Sequence, residues 1–101
     1  MQRITQLQTW VAEDWTKRSG GMPQTEEALL YVPEELGEVA ECLRIAKRAK
    51  PHSTCHANAL SGELADVCIS LVTLACVCNV DLANALADAK KKIEKRHATA
   101  G

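Results

Sequence analysis

Apolar residues recur at three- and four-residue steps through most of this chain, and no segment alternates them with polar ones. The steps predict four helices. In the first, residues 3–18, Ile4, Leu7, Val11 and Trp15 form one stripe. "SGGMP" at 19–23 breaks it. The second spans residues 25–49, with Leu29, Val32, Leu36, Val39 and Leu43 as its core stripe. Pro33 interrupts it, so either the helix kinks or a new one starts with Pro in its first turn. "AKPHS" at 49–53 ends that segment. The third spans residues 54–78, and the fourth starts at Asp81, a good N-cap, and runs to residue 97.

The third helix changes the picture. With ~100° per residue, Glu63, Asp66, Ser70 and Thr73 share an arc of about 80°. Leu64, Val67, Cys68, Ile69, Leu71, Val72, Leu74 and Cys76 cover the rest of the cylinder. A helix apolar nearly all round is buried, and a chain of 101 residues has little with which to surround it. The expected fold is therefore all-α: a single domain over residues 1–101, forming a helical bundle with a partner subunit. A homo-oligomer, dimer or tetramer, with this helix near the subunit interface follows from the same argument.

Composition removes several functions. Net charge is −1, which gives no basic field for a nucleic-acid polymer. There is no phenylalanine and only three aromatics, so the core must be aliphatic and small. The apolar run Val67–Val80 is broken by Ser70, Thr73 and Asn79 and falls short of the ~20 residues of a membrane span. "MQRITQLQTW" has no apolar signal core, so a cytoplasmic protein without a membrane partner is expected. Five cysteines in no scaffold spacing fit a reduced compartment. His52, Cys55 and His56 fall short of the four ligands of a structural zinc site and read as loop.

The acids carry the chemistry. "EELGEVAE" at 34–41 crowds Glu34, Glu35, Glu38 and Glu41 onto two turns. Glu34, Glu38 and Glu41 lie opposite the apolar stripe, where a solvated face is the ordinary explanation. Glu41 also has Arg44 three residues on, an ordinary helical ion pair. Glu35 borders the stripe, and Asp66 sits in nearly apolar surroundings, where an unpaired carboxylate is costly. Glu35 and Glu38 are three apart, as are Glu63 and Asp66, so each pair shares a helix face. Folding back at "AKPHS" lets the two pairs face one another. Carboxylates that converge away from water take up protons unless a cation compensates. Mg²⁺ is the hard ion that binds carboxylates together with phosphates, and Mn²⁺ has similar tastes. In "KKKIEKR" at 90–96, Lys92 and Arg96 flank the fourth stripe (Leu82, Leu86, Ala89, Ile93), placed to neutralise Asp66 or hold phosphate. Lys91 and Lys95 point away, as in any basic last turn.

These residues resemble the MazG-like, all-α nucleoside triphosphate pyrophosphohydrolases. That pattern is two acids, two free positions, an acid, a spacer, then Glu-x-x-Asp. Here it is "EELGE" at 34–38 and "ELAD" at 63–66, separated by residues 39–62. "KIEKR" at 92–96 is similar to the basic signature of the family's last helix, Lys92 and Arg96 matching its first and last basic positions. The resemblance covers residues 25–97. It implies hydrolysis of a nucleoside triphosphate, ribo or deoxy, to monophosphate and pyrophosphate, removing non-standard or surplus nucleotides. By the same resemblance Glu35, Glu38, Glu63 and Asp66 would ligate Mg²⁺, Lys92 and Arg96 would hold phosphate, and Glu34 would position the water.

The chain departs from the pattern in places. Lys90 stands where some relatives have Asn, Pro33 precedes the doublet, and the usual base-reading residues have no clear counterpart. Trp10 or Trp15 offers a ring for a base, although Trp15 lies on its stripe as a core residue would. Phosphoribosyl-ATP pyrophosphohydrolases share paired acids but place Lys and Gly before the doublet, where this chain has "YVPEE". The reading from another class is a non-enzymatic helical oligomerisation or regulatory module with a vestigial acid cluster. Turnover of a nucleotide panel separates the two.

Overall fold

The computed structural model describes residues 2–48 and 55–100, and these contain helices and no strand. The helices are α1 (Gln2–Ser19), α2 (Thr25–Arg48), α3 (Cys55–Val77) and α4 (Leu82–Ala100). The expected breaker at 49–53, with His52, lies outside the described residues. The third helix, expected from residue 54, opens at Cys55, which places Cys55 and His56 in its first turn rather than in a loop.

Local chemistry sets the ends. Gly20, at φ 77°, closes α1 in the left-handed conformation that glycine adopts without strain, its N–H 3.0 Å from the Thr16 carbonyl. Glu26 and Glu27 place negative charge at the positive end of α2. Asn79, at φ 55°, closes α3. Its N–H donates to Cys76 (3.2 Å) and that of Val80 to Ala75 (2.9 Å), the paired bonds of a Schellman cap. Asp81 caps α4, its Oδ1 accepting from the Asn84 N–H at 3.1 Å. Pro33 starts no new helix, for α2 runs through it. The Leu29 carbonyl loses its usual donor there, on a stretch of the helix where both side chains face solvent.

α2 and α3 make the main contact of the fold, α1 lies across α3, and α4 rests on α1. Glu35 shares a cleft with Asp66, and Cys42 shares one with Ala59. Contacts that advance along α2 retreat along α3, so the two helices are antiparallel. Gln8 fastens α1 to the α3–α4 corner. Its Nε2 donates to the Val80 carbonyl at 2.6 Å and its Oε1 accepts from the Leu82 N–H at 3.2 Å.

The core is small, as the composition required: Val11, Ala28, Val72, Ala75 and Ala83 are its buried apolar residues. Two stripes are placed differently from the expectation. Leu29, Leu36 and Leu43, assigned to the core of α2, are about half exposed (56%, 51% and 47%). The face turned inward carries Ala28, Glu35 and Cys42, one heptad apart. α3 is turned the same way. Its polar arc faces inward, with Ser70 and Thr73 buried, while Leu64, Cys68 and Leu71 face out. Asp66 is likewise exposed rather than sunk among apolar neighbours. On α4, Leu86 and Ile93 are exposed too. The radius of gyration is 16.8 Å, against about 13 Å for a compact chain of this length. Over Ala59–Val77, α3 has the length and mean hydropathy (1.7) of a membrane span, more than the run from Val67 suggested. Core helices of soluble proteins share those properties.

Candidate functional site

Antiparallel pairing of α2 and α3 brings two carboxylates from each helix to one place. One oxygen from each of Glu35, Glu38, Glu63 and Asp66 lies within 4.8 Å of all the others. The spacing of three on each helix explains this, since positions i and i+3 present side chains to the same neighbour.

The electrostatics are unfavourable as they stand. Glu35 Oε2 and Glu63 Oε2 are sealed from solvent without a hydrogen-bond partner. Burial pushes the Glu35 carboxyl above its ordinary value, and the charge and nearby carboxyl of Glu38 and the charges of Asp66 and Glu63 push the same way. The hydrogen-bonding proximity of the Glu38 carboxyl raises Glu63 first, then burial, then the charges of Glu38 and Asp66. A hard divalent cation fits this donor set: every ligand is a carboxylate oxygen, and two of the oxygens have nothing else to bind. Oxygens on opposite sides of Mg²⁺ stand about 4.2 Å apart, close to the span found here.

The acids divide two clefts. Glu38 and Glu63 border one of about 270 Å³, with Cys42 and Ile45 on its wall. Glu35 and Asp66 border the other, about 360 Å³, which α1 closes with Trp15 and Arg18 and α2 with Tyr31. The Trp15 and Tyr31 rings are stacked, centroids 6.0 Å apart and planes 15° from parallel. Trp15 Nε1 donates to Thr73 Oγ1 at 3.2 Å, and Thr73 donates in turn to the Ile69 carbonyl at 2.8 Å. The ring is thus fixed at a cleft wall rather than sunk in the core.

The remaining sequence candidates lie elsewhere. Glu34 is exposed on α2 and outside the four-acid group. Lys92 and Arg96 are exposed on α4, the helix that rests on α1, and neither lines either cleft beside the acids. Glu41 does pair with Arg44, as its spacing suggested. Sequence reasoning missed Tyr31 and Arg18. Their spacings carried a signal: Tyr31 is four before Glu35, Arg18 three after Trp15, and Thr73 seven after Asp66, all on shared faces.

No curated protein matches this chain. A family model for the MazG nucleotide pyrophosphohydrolase domain matches residues 24–100, which include all four clustered acids, Tyr31, Lys92 and Arg96. That match covers most of the sequence, and the chain belongs to the MazG nucleotide pyrophosphohydrolase family.

Proposed function

We propose that this chain hydrolyses nucleoside triphosphates to the monophosphate and pyrophosphate, with Glu35, Glu38, Glu63 and Asp66 holding Mg²⁺. One observation carries the reading: two carboxylate oxygens without partners, Glu35 Oε2 and Glu63 Oε2, lie in a four-acid group that borders an aromatic-walled cleft. A bound divalent ion supplies charge neutralisation for the phosphates and a lowered pKa for a water at the α-phosphorus.

The chain's own residues do the rest. The Trp15–Tyr31 wall receives the nucleoside, which leaves the phosphates at the Glu35 and Asp66 end of the cleft. Glu34 positions the attacking water, in keeping with its place in the doublet. Lys92 and Arg96 hold the departing pyrophosphate. Lys92 and Arg96 line neither cleft beside the acids, and in this reading they act across a contact between copies. The exposed Leu64 and Leu71 of α3, with Leu29, Leu36 and Leu43 of α2, are apolar surface for that contact. We take the assembly to be a cytoplasmic homo-oligomer engaged in clearing surplus or non-standard nucleotides.

The test is phosphate release over a panel of ribo- and deoxynucleoside triphosphates with Mg²⁺ and added inorganic pyrophosphatase. Monophosphate and pyrophosphate are the expected products, and Asp66→Asn lowers turnover about 100-fold or more while the oligomer stays intact. A folded wild-type protein that turns over none of the panel would instead favour a binding module.

A further inference from the structure

The aromatic-walled cleft has a charged corner that the proposed hydrolysis does not use. Arg18, at the end of α1, stands with its guanidinium carbon 5.8 Å from the centre of the Trp15 ring. Asp14, one turn earlier, holds it there: Asp14 Oδ2 accepts from Arg18 Nε at 2.8 Å and lies 2.6 Å from Nη2. A guanidinium carries five N–H donors and no acceptor. The Asp14 contact occupies the edge formed by Nε and Nη2. The edge formed by Nη1 and Nη2, two parallel N–H bonds, stays open on a side chain that is 66% exposed and lines the cleft. Such a fork matches two adjacent acceptors on one planar partner. The stacked rings of Trp15 and Tyr31 beside it suit a planar, aromatic partner.

On the nucleotide reading above, we propose that Arg18 is a specificity-determining residue that selects 6-oxopurines, guanine or hypoxanthine, as the base. The base rests against the Trp15–Tyr31 pair, and the open Arg18 edge donates to O6 and N7 together. Adenine offers N7 beside an amino group, which sets donor against donor and leaves one N–H unanswered. Cytosine has adjacent acceptors only at N3 and O2, with O2 beside the sugar, and uracil or thymine carries N3–H between its carbonyls and offers no adjacent pair. Asp14 serves as a positioning residue, since it fixes which edge of the guanidinium is free.

The experiment compares kcat/KM for GTP, ITP and ATP, and the affinities of GMP, IMP and AMP by calorimetry, for wild type, Arg18→Gln and Arg18→Lys. Wild type should favour the oxopurines about tenfold or more in both readouts. Arg18→Gln should bring the oxopurines down toward the adenine level. Arg18→Lys keeps the charge but loses the fork, and should lose the discrimination as well. Equal use of GTP and ATP by wild type would overturn the proposal. So would an Arg18→Gln variant that lowers every nucleotide by the same factor, the mark of a phosphate contact. Hydrolysis without base preference removes this inference alone. Neither hydrolysis nor binding of any nucleotide removes the proposed function with it. Oxopurine-selective binding without hydrolysis keeps the Arg18 assignment and removes only the enzyme.

Discussion

Glu35 and Glu63, on antiparallel helices, each turn one carboxylate oxygen into the α2–α3 contact where no donor meets it. Both carboxyls are held above their ordinary value of 4.5, Glu35 mainly by burial and Glu63 mainly by the proximity of the Glu38 carboxyl. The native chain therefore binds these protons more tightly than the unfolded chain does. As pH rises from about 4.5 toward the raised native values, the unfolded state releases its protons first, and native stability falls. Metal-free protein should lose melting temperature across that window, and Glu35→Gln should lose less. Mg²⁺ should raise the melting temperature at pH 7 and have little effect near pH 4, where the acids are protonated. Thermal melts in chelator and in Mg²⁺ for both proteins check this. A wild type whose pH slope equals that of Glu35→Gln would contradict it.

Thr73 is buried and accepts the Trp15 indole N–H while donating to its own helix. Thr73→Val keeps the shape and removes the acceptor. It should cost about 1 kcal/mol in urea unfolding, the usual net value of such a bond. With its ring released, Trp15 should also bind nucleotide more weakly, visible as a raised KM with little change in kcat. No change in either quantity would mean that the bond positions nothing.

Outward-facing Leu64 and Leu71 lie seven residues apart on one side of α3. Placing charge there, in the double variant Leu64→Lys and Leu71→Lys, should shift the protein from oligomer to monomer in light scattering, with helicity by circular dichroism retained. Lys92 and Arg96 line neither cleft beside the acids, and if they act on a partner's site, an oligomer mixed from inactive Asp66→Asn and inactive Lys92→Ala chains should recover part of the activity. Recovery fails if both groups act within one chain.

Element type, number and most boundaries were legible in the sequence because the 3.6-residue period is strong in three segments, and the third, apolar nearly all round, shows no strand alternation and is bounded by breakers. Asp81 and the glycine break after Ser19 were legible as punctuation. The four acids were legible as two pairs, because a spacing of three on each of two antiparallel helices allows one way of meeting. Which face each helix turns inward was not. Apolar stripes on α2 and α3 looked like core, yet Leu36, Leu43, Leu64 and Leu71 face outward, while Ser70 and Thr73 face in. A helical wheel ranks faces by hydrophobicity and cannot separate contact within a chain from contact between chains. The aromatic cleft escaped notice for a related reason: Trp15, Tyr31 and Arg18 come from two helices whose crossing no local pattern encodes.

The central claim is that four carboxylates from two helices hold one kind of ion. Mn²⁺ titration followed by electron paramagnetic resonance tests it without substrate. Wild type should remove the free Mn²⁺ signal and release it again to excess Mg²⁺, and the double variant Glu35→Gln and Glu63→Gln should bind at least about 100-fold more weakly. A folded wild type that leaves the free signal unchanged at millimolar Mn²⁺ would contradict the account.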